Sequence, residues 1–351
     1  MSSEPELPVV SYEVQTTLGR RAFGTGQGYV LPHEHILTDL RVYWEGAGKW
    51  NDLDSVNQTL RPSMYDAHRR LPQGTSRENL VLSDWFLAAQ ELIEAKDNGC
   101  QLIVDLTVQG LSPQISLASQ SAEMAGLPLV YGIGRYLGHA LTEEQTSAKV
   151  DQVASEWLEQ VRDGVDGHSV GIIGEIGTSA QIQKVEEVSL RAAAHVQYES
   201  KLPLNIHVDP FGRQGHTVLD ILERENADLS KVALSHCDGD IDIDWLVSLC
   251  ERGVYVEFDL FGTGHEWKIM GRGFNNDYER LDAVCQLVEL GWSESLLLSH
   301  DICMRNSLIR HGGWGYGHLG RTILPELERR VGPGMREVLT STNPLRYLSV
   351  N

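Results

Sequence analysis

A chain of 351 residues, 41% hydrophobic and 22% charged, is long enough to bury an enzyme-sized core and too apolar to stay disordered or form a fibre. Its 49 acidic against 29 basic residues give a formal net charge of -20, which opposes phosphate backbones and anionic lipid, so neither nucleic acid nor a membrane surface is an expected partner. The start Met1-Ser2-Ser3-Glu4-Pro5-Glu6-Leu7 has no basic segment followed by an apolar run, and no apolar stretch is long enough to span a bilayer; Cys100, Cys237, Cys250, Cys285 and Cys303 form no C-x-x-C pair, so a cytoplasmic protein with reduced thiols is expected.

In chain order a short β-rich extension (1–27) comes first. Gly24-Thr25-Gly26-Gln27-Gly28 has the composition of a phosphate loop, but it precedes the first strand instead of following it and reads as a turn. Short apolar runs then recur at 28–31, 102–106, 127–133, 170–176, 204–208, 232–235, 254–258 and 296–299, and they read as strands buried on both faces. Amphipathic segments such as 82–98, 143–162, 188–200, 244–252 and 278–290 read as the helices between them. Asn98-Gly99, Arg252-Gly253 and Leu290-Gly291 put a glycine where a helix stops in the left-handed conformation. Eight βα units predict a single α/β domain over 1–351, a (β/α)8 TIM barrel, in preference to a doubly wound open sheet with an early Gly-rich turn.

Three stretches break the short-loop rule: 38–81, with Trp44, Trp50 and Tyr65, and the glycine- and aromatic-rich 260–277 and 302–320. Loops that follow strands build the active-site face of a barrel. Arg135 and Tyr136 after the third strand, and Phe261, Arg305, Trp314 and Tyr316 in the late loops, are therefore candidate substrate contacts, each with a packing role as the alternative. An arginine at the mouth would pair with a carboxylate, sulfonate or phosphate tail.

The first run ends in His33-Glu34-His35. Residues two apart in a strand face the same side, so both imidazoles can reach one metal while Glu34 faces away; alone, the motif is equally a pair of hydrogen-bonded core histidines. Four later runs also end in an ionisable group: Ile172-Ile173-Gly174-Glu175, Leu204-Asn205-Ile206-His207, Ala233-Leu234-Ser235-His236 and Leu298-Ser299-His300-Asp301. A barrel gathers strand ends around one axis, so His33, His35, Glu175, His207, His236 and Asp301 are expected to converge. Packing such groups together is costly without a compensating cation. Four imidazoles and two carboxylates suit zinc, with manganese, cobalt or iron as alternatives, and six ligands exceed one tetrahedral site, so two divalent ions are expected. Asp301 is the expected proton acceptor and shuttle, and Asp259, ending the seventh strand, is expected to orient a ligand or relay the proton, with capping a loop as the alternative.

With Leu31-Pro32-His33-Glu34-His35, Gly174-Glu175-Ile176-Gly177, Ser235-His236, Ser299-His300-Asp301 and Thr342-Asn343-Pro344 in this order, the chain resembles the phosphotriesterase family of the amidohydrolase superfamily. Glu257-Phe258-Asp259-Leu260-Phe261-Gly262-Thr263 and His311-Gly312-Gly313-Trp314-Gly315-Tyr316-Gly317-His318 make it more similar to the phosphotriesterase-related branch. The resemblance implies an amidohydrolase-like barrel in which His33, His35 and Asp301 hold a buried metal and His207 and His236 an exposed one. Glu175 would bridge the two where many members carry a carbamylated lysine. A homodimer is implied as well, and so is a metal-bridging hydroxide that attacks a carboxylic ester, lactone or N-acyl amide of a small molecule. Organophosphate triester hydrolysis is the alternative, weakened because Leu260 stands where those members place a relay histidine, for which His265 could substitute. A barrel that has lost catalysis and keeps a binding role is the second alternative.

Overall fold

The computed structural model describes residues 9–44, 72–73, 76–264, 268–269 and 272–350. The eight apolar runs form strands β1 (Tyr29–Glu34), β2 (Cys100–Asp105), β3 (Leu129–Ile133), β4 (Ile172–Thr178), β5 (Leu204–Val208), β6 (Val232–Ser235), β7 (Tyr255–Phe258) and β8 (Leu296–Leu298). Each pairs in parallel with its neighbour in sequence. The strands are followed in turn by α1 (Trp85–Asp97), α2 (Ile115–Ala125), α3 (Val150–Asp163), α4 (Lys184–Ser200), α5 (Gly215–Arg224), α6 (Ile243–Cys250), α7 (Asp277–Glu289) and α8 (Leu324–Val331). The fold is a (β/α)8 barrel, as the alternation of runs requires. No described helix is long and apolar enough to cross a membrane.

Two helices differ from expectation. The single segment 143–162 is two helices, Glu143–Ser147 and α3, because Ala148 and Lys149 adopt extended backbone and each helix has its own start: a capping box from Thr142 to Gln145, and the Gln152 side chain accepting the Lys149 backbone N–H at 2.9 Å. Helix α4 starts ahead of residue 188 because the Glu186 carboxylate accepts the Gln183 backbone N–H at 2.9 Å and caps an earlier turn.

Alternation along each strand makes two cores. Val30, Val104, Val130, Ile172, Ala233 and Leu297 point into the barrel. Its floor is closed by Val14 and Phe23 of the N-terminal hairpin (Ser11–Thr16 with Gly19–Gly24) and by Leu345, Tyr347 and Leu348 of the last helix. Leu31, Ile103, Ile173, Ile206, Leu234 and Leu298 point outward and pack under the helices with the fully buried Trp157. Of the long loops, 38–81 carries a short ladder of Thr38–Asp39 with Val81–Leu82, and Trp50 and Tyr65 lie outside the described residues, as does His265 in the loop after β7.

The barrel closes between β8 and β1 without a regular strand ladder. His35 N–H donates to the Ile302 carbonyl at 3.2 Å and Asp301 N–H to the His33 carbonyl at 3.3 Å. The buried carboxylate of Glu34 completes this seam: it accepts the Ser299 hydroxyl at 2.9 Å, the backbone N–H groups of His300 and Ile302 at 3.0 and 2.9 Å, and His300 Nδ1–H at 2.7 Å. The glutamate that faces away from its flanking histidines thus clamps the end of β8 to β1. Replacing it with alanine leaves several buried donors unpaired, each costing about 1–3 kcal/mol. Glu34→Ala is expected to lose at least ~3 kcal/mol of stability by urea unfolding; a loss below ~1 kcal/mol removes the clamp from the account.

Candidate metal centre

Alternation alone would not aim every expected ligand inward. Counting from Val30, which faces the barrel interior, His33 should face out, but the β1–β2 register shifts between Leu31 and Glu34 and turns it in. The β4–β5 register likewise shifts between Ile173 and Ile176. Gly174 in that shift has φ +123°, and a Cβ there would lie 2.3 Å from the Asn205 carbonyl oxygen, so only glycine lets the chain bend Glu175 into the barrel. His207 sits in β5 with inward parity and needs no such device. His236 and Asp301 follow β6 and β8 in left-handed backbone, φ +59° and +51°, a conformation that costs a non-glycine residue ~1–3 kcal/mol and clusters at functional sites.

These side chains meet around Glu175. Its Oε1 lies 3.4 Å from His35 Nε2, and its Oε2 lies 3.2 Å from His207 Nδ1 and 3.7 Å from both His33 Nε2 and His236 Nε2. Asp301 Oδ1 lies 3.1 Å from His35 Nε2 and 3.7 Å from His33 Nε2. His207 Nδ1 and His236 Nε2 approach to 2.8 Å. Three sets result among the described residues, His33 with His35 and Asp301, Glu175 with His207 and His236, and His33 with His236 and Asp259, each with donor atoms within 4.8 Å of one another. His33 Nε2 is buried and has no hydrogen-bond partner. A cation seated between these groups satisfies that atom, and a donor set of four imidazole nitrogens with two carboxylates fits a borderline first-row metal better than calcium or magnesium.

The far ring nitrogens are held in turn. His35 Nδ1 faces Thr107 Oγ1 at 3.0 Å, and His236 Nδ1 faces Asp259 Oδ1 at 2.9 Å. His33 Nδ1 lies 3.2 Å from Asp259 Oδ2, 3.3 Å from Glu257 Oε2 and 3.1 Å from Ser235 Oγ. Asp259 also accepts the His236 backbone N–H at 3.0 Å, so one carboxylate orients two rings on different strands.

Burial opposes charge here, and at His33, His35, His236 and Glu175 the facing groups overcome it. Asp259 and Glu257 hold His33 well above the usual imidazole range, Asp301 and Glu175 hold His35 at about 9, and Asp259 and Glu175 hold His236 well above its usual value. In return His207, His236 and His35 keep Glu175 well below the usual carboxylate range despite its burial. The cluster calls for positive charge, which protons supply when nothing else does.

The open side of the cluster faces a cavity of about 220 Å³ whose wall includes Leu40, Leu137, Leu260, Phe274 and Met304. None of its described lining residues is arginine or lysine. Tyr136 lines it, with its hydroxyl 3.4 Å from His207 Nδ1. The other expected substrate contacts do not. Arg135 is buried with its guanidinium on Gln109, the Gln145 carbonyl and Glu156, and Arg305 donates to the Val81 carbonyl at 2.7 Å and faces Glu78. Neither is left free at the mouth to pair with an anionic tail. Tyr316 is fully buried and donates to the His35 carbonyl at 2.6 Å. Phe261 and Trp314 line a separate cavity of about 130 Å³, together with His300 and Ile302. Reading the sequence missed Tyr43, whose hydroxyl lies 2.6 Å from that of Tyr136, because nothing in a loop pattern aims a side chain. It also missed Glu257, although Glu257 and Asp259, at the end of β7 and just past it, repeat the two-residue spacing of His33 and His35.

The sequence profile of the Phosphotriesterase family matches residues 12–348. An N-acetyltaurine hydrolase from Bos taurus is 29% identical over 97% of this chain and 99% of its own length, and one from Xenopus tropicalis is 31% identical over the same shares. The crystal structure of a resiniferatoxin-binding protein from Rhodobacter sphaeroides superposes with a TM-score of 0.90 at 30% identity, covering 96% of this chain and 95% of that one. With a match from hairpin to last helix and relatives that are hydrolases along their whole length, this chain belongs to the phosphotriesterase family and is one of its hydrolases.

Proposed function

We propose that this enzyme cleaves the acyl bond of a small molecule, an N-acyl amide first and a carboxylic ester or lactone next, with two divalent cations, zinc foremost, held by His33, His35, Glu175, His207, His236 and Asp301. The observation that carries the reading is the convergence of these donors on the two oxygens of Glu175 beside the unpartnered His33 Nε2. The N-acetyltaurine hydrolases, similar over nearly the whole chain, support the choice of an amide.

Divalent ions at these groups supply a water of lowered pKa and an electrophile for the acyl oxygen. The rest is the work of this chain. Asp301 turns Oδ1 toward His33 and His35 and Oδ2 toward Cys303 in the cavity wall, so Oδ2 is placed to take the proton of the attacking water and pass it to the leaving nitrogen or oxygen. Asp259 keeps the rings of His33 and His236 turned to the centre. The Tyr136 hydroxyl is placed to donate to the acyl oxygen, and the apolar wall shelters the acyl group from water. Leu260 forms part of that wall, which suits an acyl substrate and leaves no relay histidine next to Asp259.

Chelation is expected to abolish hydrolysis of N-acyl amides, and zinc, manganese or cobalt to restore it with two ions per chain. Because Glu175 brings both oxygens itself, added bicarbonate changes neither metal content nor rate; a Glu175→Ala enzyme with full metal content and rate refutes the site. A second prediction concerns Asp259. Asp259→Asn keeps the shape but loses the charge that two imidazoles face, and partners of this kind are worth about 10–100-fold in metal affinity. Competition against a chromophoric chelator measures this, and wild-type affinity in the variant excludes the orienting role.

A further inference from the structure

The hydroxyls of Tyr43 and Tyr136 lie 2.6 Å apart. Two phenols carry two protons, and a single O···O contact uses one of them. Among the described residues the only other group that either hydroxyl reaches is His207 Nδ1, 3.4 Å from the Tyr136 oxygen. That nitrogen is already turned toward Glu175 at 3.2 Å and His236 at 2.8 Å. Among the described residues no further acceptor takes the second phenolic proton, and both tyrosines line the cavity. Tyr136 is the inner of the two: its ring centroid is 4.9 Å from that of His207, while Tyr43 stands edge-on behind it, against Tyr136 on one side and His139 on the other.

We infer that Tyr43 is a positioning residue of the reaction, whose hydroxyl donates to the Tyr136 oxygen and so directs the Tyr136 proton at the acyl oxygen of the substrate. The inference rests on the acyl-hydrolase reading above. A phenol that accepts one hydrogen bond is a stronger donor of another, by about 10–30% per bond in a chain. It is also held in one rotor state, so less freedom is lost when the substrate arrives. The acyl oxygen gains negative charge as the nucleophile adds, so the Tyr136 interaction strengthens between bound substrate and transition state, and its loss falls on kcat more than on KM. The proton stays on Tyr136 throughout; no bond to it breaks.

The test uses the full-length, metal-loaded enzyme and the substrate it cleaves fastest among N-acyl amides, carboxylic esters and lactones. kcat, KM, metal content and thermal midpoint are measured for wild type, Tyr43→Phe, Tyr136→Phe and the double variant. Tyr136→Phe is expected to lower kcat about 100-fold, the lower end for losing one oxyanion donor. Tyr43→Phe is expected to lower kcat about 10-fold with KM within about twofold and unchanged metal content, because it removes only the aim and polarisation of that donor. The double variant should be no slower than Tyr136→Phe. Wild-type kcat in Tyr43→Phe, a loss that multiplies with that of Tyr136→Phe, or a loss explained by missing metal each overturns the inference. A larger loss in Tyr43→Phe than in Tyr136→Phe reverses the order of donation and overturns it too. A metal-loaded wild type that cleaves nothing in the panel sinks the acyl-hydrolase reading itself, whereas an active wild type with an unaffected Tyr43→Phe sinks only the role of Tyr43.

Discussion

A carboxylate with both oxygens turned into a closed barrel is the constraint around which the upper half of this protein is organised. Glu175 is removed from water and faces four imidazoles carried by three other strands, while Asp301 and Asp259 bring two more carboxylates to the same rings. Desolvation of so many acidic groups is tolerable only if positive charge sits among them. The rings serve as that charge when protonated, which is why burial fails to depress His33, His35 and His236. A divalent ion serves better: it concentrates two charges at one point and lets each imidazole remain neutral and offer a lone pair. The raised imidazoles and the unpartnered His33 Nε2 are thus two views of one deficit.

Meeting that demand takes irregular backbone. The regular strand β5 brings His207 in by parity, but His33 and Glu175 depend on register shifts, and His236 and Asp301 on left-handed residues at the ends of β6 and β8. Such departures cost stability where they occur. They recover it through contacts the regular structure could not make, among them the Asp259 carboxylate bridging the rings of His33 and His236.

The architecture was legible because its signals are repetitive. The runs at 204–208 and 232–235 coincide with β5 and β6, and the others differ only at their ends, where the loss of ladder partners and not apolar composition decides the boundary. The six residues that end apolar runs were legible for the same reason: an ionisable group finishing a buried strand is out of place unless something holds it. Arg135 was misleading because a guanidinium beside the third strand has two options, the mouth of the barrel or a carboxylate on a neighbouring helix, and Glu156 on α3 settles the choice through a contact no local pattern encodes. Tyr43 is the converse case: it ends a single 3-10 turn, Arg41–Tyr43, and its side chain is placed against Tyr136 and His139, contacts no local pattern encodes.

Consecutive residues at the end of β8 join chemistry to stability. His300 turns back into the seam, accepting the Leu319 N–H at its Nε2 and donating Nδ1–H to Glu34. Asp301 turns the other way, toward His33, His35 and the cavity, while its own N–H bonds the His33 carbonyl. One peptide unit therefore carries both the closure of the barrel and the distance between Asp301 and the two histidines of β1. Opening the seam moves a carboxylate away from the rings it faces, and pulling that carboxylate and those rings together holds the seam shut. By linkage, a cation bridging His33, His35 and Asp301 would also stabilise the fold at the β8–β1 junction, the one place where the described barrel lacks a strand ladder.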